Sequence, residues 1–126
     1  MPVLVDTSCW IEFLRKKGNT EIQNKVHEIL SEGMACISEP ILLELWNGVG
    51  SEDERKKIKF IQDRIPLLPC NASVYQAGYN LADKMRASGI TAPAIDILIF
   101  AVSQEYNVDI LSLDKHFLKL QKYGKK

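Results

Sequence analysis

Four carboxylates stand in or at the ends of apolar runs, where ionised side chains are rarely tolerated: Asp6, Glu44, Asp96 and Asp114. Asp6 follows Val3-Leu4-Val5, and Glu44 interrupts Ile41-Leu42-Leu43-Glu44-Leu45-Trp46. Asp96 lies within the apolar segment 94–102, and Asp114 follows Asp109-Ile110-Leu111-Ser112-Leu113. Carboxylates are almost never fully buried unless paired or bound to a cation, and none of the four runs contains Lys or Arg. The economical explanation is that the four meet one another around a metal. Two carboxylates about 6 Å apart repel by roughly 2.8 kcal/mol at an effective dielectric of 20. A shared site must therefore protonate some of them through raised pKa values or hold a cation. All-oxygen ligation favours Mg²⁺ or Mn²⁺ over zinc. Mg²⁺ held this way binds substrate phosphates, which makes phosphodiester hydrolysis the natural chemistry.

Each acid also has a plainer reading. Asp6 and Asp114 could cap the helices that follow them, a reading about even with a site role for either residue alone. Asp96 near a helix start is favoured by the macrodipole, but its apolar surroundings make mere capping the weaker account. Glu44 could face solvent, as helical glutamates usually do. Their joint placement is what favours a site. Thr7, Ser8 and Ser112 lie beside two of the acids, with hydroxyls short enough to bond and support them. For Thr7, helix capping serves equally well. Arg55-Lys56-Lys57-Ile58-Lys59 could touch RNA, but Glu52-Asp53-Glu54 precedes it, so a solvated helix face is the better reading. Trp10 and Trp46 read as core or interface residues. His27 and His116 are too few and too scattered for a zinc site of the usual kind.

The elements that must position these groups alternate between short β-runs and helices. Val3–Asp6 and Met34–Ile37 read as short strands, Pro66–Pro69 as an edge segment because proline disfavours a central position, and Asp109–Leu113 as the last strand. Helices are expected from Thr7 to about Lys17, from Thr20 to Gly33, after Ser38 with Pro40 in its first turn, and after Ser51. Others follow Asn71, with Val74, Gly78, Leu81, Ala82 and Met85 inward, and begin at Pro93 and Lys115. The segment from Pro93 is apolar nearly all round, hence central. This pattern predicts a three-layer α/β/α sandwich around a short, mainly parallel sheet. In such a sheet ligands gather outside the carboxyl ends of the strands. Asp6 and Asp114 both occupy that end, within about 5–10 Å if their strands are neighbours.

The 126 residues, with 46% hydrophobic and 25% charged side chains, suit one domain spanning 1–126, its tail 122–126 frayed. Sixteen basic and sixteen acidic residues cancel, so net charge steers the protein toward neither nucleic acid nor acidic membranes. No apolar stretch is long enough to span a bilayer and no signal-peptide pattern opens the chain, which points to a cytoplasmic protein with no membrane association. Cys9, Cys36 and Cys70 are odd in number and far apart, as expected of free thiols in a reducing compartment.

The four acids lie in motifs that together resemble the PIN-domain family, most closely its VapC-type toxins from prokaryotic toxin–antitoxin pairs. Leu4-Val5-Asp6-Thr7-Ser8 resembles the family's opening hydrophobic-Asp-Thr/Ser motif, and Leu43-Glu44-Leu45-Trp46-Asn47-Gly48 its second acidic motif. Ile95-Asp96-Ile97-Leu98-Ile99 resembles the third, and Ser112-Leu113-Asp114-Lys115-His116-Phe117 the fourth. Each motif alone is weak; four in order, at these separations, are specific. Ser8 departs from the pattern, since many members carry asparagine there. The resemblance implies a Mg²⁺- or Mn²⁺-dependent endoribonuclease in which Asp6, Glu44, Asp96 and Asp114 bind the metal and activate water against an RNA phosphodiester. It also implies a VapB-like antitoxin that blocks the site, a toxin homodimer, and antitoxin contacts on the first, second and fourth helices. Two other classes compete. A catalytically silent PIN-like RNA- or protein-binding module would have lost an acid, and none is lost. A phosphatase with Asp6 as nucleophile usually carries a second Asp two positions on, where this chain has Ser8.

Overall fold

Leu4 and Val5 are wholly buried, and the strand they belong to is the axis of the fold. The computed structural model describes residues 2–124, with side chains described through Gln121. β1 (Val3–Val5) pairs in parallel with β2 (Ala35–Cys36) on one side and β3 (Asp109–Leu111) on the other, in the order β2-β1-β3. The edge segment expected around Pro66–Pro69 is present as a single parallel bridge between Ile37 and Leu67. Only Ile37 N–H to the Pro66 carbonyl and Leu68 N–H to the Ile37 carbonyl hold it. With a proline on each side, the segment has few donors for a longer ladder.

Among the described residues seven helices surround this small sheet: α1 (Thr7–Leu14), α2 (Thr20–Ser31), α3 (Glu39–Asn47), α4 (Glu52–Arg64), α5 (Ala72–Ala87), α6 (Ala94–Tyr106) and α7 (His116–Gly124). α1 packs on α2 and α3, and α3 on α4; α5, α6 and α7 pack on one another, with α6 also reaching α3 and β3. The α/β/α reading therefore holds, with a smaller sheet and more helix than the apolar runs suggest. Side-chain caps set several helix starts: Asn19, Ser51 and Asn71 each accept a hydrogen bond from the backbone N–H three residues on. Ile99–Val102 of α6 is buried against the core, although Ile95 stays 41% exposed. Ala82 faces solvent rather than the core, because the inward stripe of α5 is carried by Val74, Gly78, Leu81 and Met85. α7 is helical through Gly124, and residues 125 and 126 of the expected tail lie outside those described.

The three cysteines are free, as expected. Burial pushes the Cys36 thiol up to about 11, and burial together with the nearby Glu39 charge does the same for Cys70. Both stay protonated and unreactive near neutral pH. No helix among the described residues is long and apolar enough to cross a membrane.

α1 ends at Leu14, three residues before the expected end, because Arg15 turns to extended backbone. The turn that follows folds back onto α1. Gln23 Nε2 donates to the Glu12 and Arg15 carbonyls at 3.0 and 2.8 Å, and Asn19 N–H donates to Glu12 Oε1 at 3.0 Å. Gly18 lies so close beneath it that a Cβ there would stand 1.9 Å from the Glu12 carbonyl oxygen. Gly18→Ala must therefore push two backbone segments apart. We expect it to destabilise the protein by about 2 kcal/mol, the usual scale of overpacking, readable as a lowered midpoint in urea with an unchanged slope.

Candidate active site

Parallel pairing of Val5 with Leu111 puts the residues that follow them, Asp6 and Ser112, side by side at the carboxyl edge of the sheet. Asp6 N–H donates to the Leu111 carbonyl at 2.9 Å, extending the ladder one step. Asp6 occupies the N-cap position of α1, yet its side chain caps nothing. Instead Asp6 Oδ2 accepts hydrogen bonds from Ser8 Oγ at 2.9 Å and Ser112 Oγ at 2.8 Å. Each serine in turn accepts a backbone N–H: Leu113 donates to Ser8 Oγ at 3.0 Å, and Asp114 to Ser112 Oγ at 2.9 Å. These chains orient both hydroxyl protons toward Asp6, whose carboxylate is 4% exposed. The network also explains why β3 ends at Leu111, two residues early: Ser112 and Leu113 turn out of the ladder to make it.

Asp114 is reached by the same turn, and its Oδ1 accepts the His116 backbone N–H at 2.9 Å. Asp96 projects from the first turn of α6. His116, the first residue of α7, joins the two acids: its Nδ1 stands 2.9 Å from Asp96 Oδ2 and 2.9 Å from Asp114 Oδ1. One donor atom from each of Asp96, Asp114 and His116 lies within 4.8 Å of the others. Glu44 sits at the rim, exposed, and attaches through Thr7, whose Oγ1 donates to Glu44 Oε1 at 2.7 Å. The structure thus brings Asp96 and Asp114 into one cluster, ties Asp6 to it through Ser112, and links Glu44 to the residue after Asp6. Ser8 and Ser112 both donate to Asp6, whereas Thr7 bonds to Glu44 rather than to the Asp6 it follows.

The electrostatics of this cluster are unbalanced. Among the described residues no Lys or Arg pairs with any of the four acids; the recorded cationic side chains pair with Glu12, Glu52, Asp53 and Asp63 instead. The basic stretch of α4 is accordingly the solvated face expected, with Arg55 also resting over the Trp46 ring at 5.7 Å. Burial, and then the negative charges of Asp114 and Asp6, raise the Asp96 pKa to about 6, opposed by His116. Burial also pushes Asp114 upward, but the backbone N–H and side chain of His116 outweigh it and hold that carboxyl below the usual range. A divalent cation fits this donor set, because hard carboxylate oxygens dominate it and their repulsion is left unanswered by the protein's own cations.

His116 is the residue that sequence reasoning missed. Two histidines were too few for a zinc site, and that count hid a mixed oxygen and nitrogen cluster. The available signal was its position two residues after Asp114, at a helix start that turns the ring back toward the carboxylate.

The sequence matches the PIN domain over residues 3–123. The chain belongs to the PIN-domain family. Ribonuclease VapC11 of Mycobacterium tuberculosis strain H37Rv and a VapC ribonuclease of Mycobacterium bovis are each 28% identical over 119 residues, covering 91% of this chain and 88% of theirs. The fold is also that of VapBC2 from Rickettsia felis, solved bound to a promoter DNA fragment, with a TM-score of 0.79, 18% identity, and coverage of 94% of this chain and 92% of that one. VapC20 of M. tuberculosis, described as a sarcin-ricin loop cleaving toxin, superposes with a TM-score of 0.65 at 16% identity, covering 93% of each chain.

The raised Asp96 pKa has a stability consequence. With a folded value of about 6 against about 3.9 for an unfolded Asp, ionisation is disfavoured by the fold. The associated stability is fully present below about pH 4 and is lost as pH rises toward and through 6. Asp96→Asn should therefore raise the melting temperature of metal-free protein by a few degrees at pH 7, on the order of 1 kcal/mol, and change it little at pH 4. Paired thermal melts at the two pH values check this, and a lower melting temperature at pH 7 would contradict it.

Proposed function

We infer that this protein is a metal-dependent endoribonuclease, the toxin of a VapBC-type pair, hydrolysing RNA phosphodiester bonds. The observation that carries the reading is the uncompensated acidic cluster at the carboxyl edge of the β1–β3 pair, in a chain aligned along nearly its whole length with VapC ribonucleases. Asp6, Asp96, Asp114 and Glu44 would hold Mg²⁺ or Mn²⁺. When bound, the ion screens the acids from the phosphate, acts as a Lewis acid on it and lowers the pKa of a nearby water.

The chain's own residues supply orientation and proton acceptance. Ser8 and Ser112 fix Asp6 in one rotamer, so its charge is preorganised rather than assembled on binding. Thr7 holds Glu44 by Oε1 and leaves Oε2 to take the proton of a water attacking phosphorus in line. Asp114 is held ionised chiefly by the His116 backbone N–H, ready to bind a cation without first shedding a proton.

The partners follow from the same reading. A groove beside Glu44, of about 280 Å³ and lined by Ile11, Leu14, Val49 and Ile58 together with the charged Arg15 and Glu54, offers a VapB-like antitoxin a mixed apolar and charged seat next to the site. Exposed Tyr75, Tyr79 and Ile95 on α5 and α6 suit the expected homodimer contact. A cytoplasmic location accords with an RNA substrate and with free thiols.

Purified protein should cut RNA in Mg²⁺ or Mn²⁺ and not in EDTA. Asp96→Asn should lower the rate by about a thousandfold or more, with far-UV circular dichroism unchanged. Thr7→Val, which frees Glu44 but keeps the volume, should cost about 10- to 100-fold, as is usual for groups that orient a ligand. Full activity of Asp96→Asn, or cleavage indifferent to EDTA, would overturn the assignment.

A further inference from the structure

His116 stands where a cation ligand would stand. Its Nδ1 is itself buried, although the side chain is 38% exposed, so the nitrogen is turned inward. It lies 2.9 Å from one oxygen of Asp96 and 2.9 Å from one of Asp114, yet is aligned for a hydrogen bond with neither. A proton on Nδ1 would aim at neither carboxylate, and a bare Nδ1 would face two oxygens with lone pairs alone. A cation among the three atoms removes both difficulties. The spacing agrees with this: bonds of about 2.1 Å in octahedral geometry put neighbouring donors about 3.0 Å apart.

We propose that His116 ligates the metal through Nδ1 beside Asp96 and Asp114, making this a mixed nitrogen and oxygen centre that prefers Mn²⁺ over Mg²⁺. This rests on the metal-nuclease reading and adds to it the nature of the ion. An imidazole adds little affinity for Mg²⁺, which favours oxygen and water, but raises affinity along the transition series. The backbone supports the arrangement. His116 N–H donates to the same Asp114 Oδ1 that its ring approaches, so the Asp114–His116 turn presets both donors before any ion arrives. His27, the other imidazole, is exposed on α2 and serves as an internal control.

The test uses the full chain and direct binding rather than turnover. Mn²⁺ and Mg²⁺ are titrated calorimetrically into wild type, His116→Ala, His27→Ala and Asp96→Asn, and the Mn²⁺ complexes are examined by electron spin-echo spectroscopy for ¹⁴N coupling. The expected result is an imidazole ¹⁴N signal in wild type and His27→Ala that vanishes in His116→Ala. Mn²⁺ affinity should fall about tenfold in His116→Ala while Mg²⁺ affinity changes less than about twofold. Absence of ¹⁴N coupling in Mn²⁺-loaded wild type, or its persistence in His116→Ala, overturns the proposal and leaves the nuclease reading standing. Failure of wild type to bind either ion, or unaltered binding by Asp96→Asn, would overturn the metal-nuclease reading itself. The wild-type spectrum decides the ligation even if a variant folds poorly.

Discussion

The burial of Asp6 is the constraint on which the rest of the site depends. Asp6, a residue 4% exposed at the end of the central strand and paired with no Lys or Arg among the described residues, is held by hydrogen bonds. Those bonds come from two serines on different elements, one in α1 and one just past β3. Because each serine also accepts a backbone N–H from residues 113 and 114, the solvation of one charge fixes the path of the chain after β3. That path delivers Asp114 and then His116 to the same edge. Asp6 therefore acts on the site twice, by its charge and by the turn it organises.

Positioning these acids near one another with no Lys or Arg paired to them among the described residues is a strained electrostatic choice. The protein tolerates it by dividing the burden unevenly. Asp114 is stabilised in its ionised form by the start of α7, whereas Asp96 carries the mutual repulsion as a raised pKa. Glu44 lies at the exposed rim, held through Thr7. This gradation, from a fixed buried carboxylate to an exposed tethered one, leaves one of the four acids open to water as well as to the site.

Much of this was legible in the residues. A strand followed by a carboxylate, a parallel arrangement, and polar capping residues at helix starts rest on local rules of periodicity and termini, which is why β1, α2, α4 and α5 begin where expected. Ser8, though unlike the asparagine common in the family, supports Asp6 because a hydroxyl at that position reaches the same oxygen as Ser112. The errors have a common cause. The early ends of α1 and β3, the exposure of Ala82 and the role of His116 all depend on a neighbour distant in sequence. Helical spacing places Ala82 near the inward stripe of α5, but what packs against that stripe decides how wide it is.

The sequence by itself determined which groups could do chemistry, because an acid in an apolar run without a basic partner announces an unmet electrostatic demand wherever the chain folds. It also determined the strand end on which Asp6 would sit, whereas Asp114 lies beyond the end of β3 on the turn that Ser112 begins. Only the tertiary structure decided how that demand is shared. The adjacency of β1 and β3, the reach of α6 toward both, and the turn that points His116 Nδ1 between two carboxylates are set by long-range packing and hydrogen bonding. Coulomb interactions and ligation depend on ångström-scale separations, and no spacing along a chain encodes those.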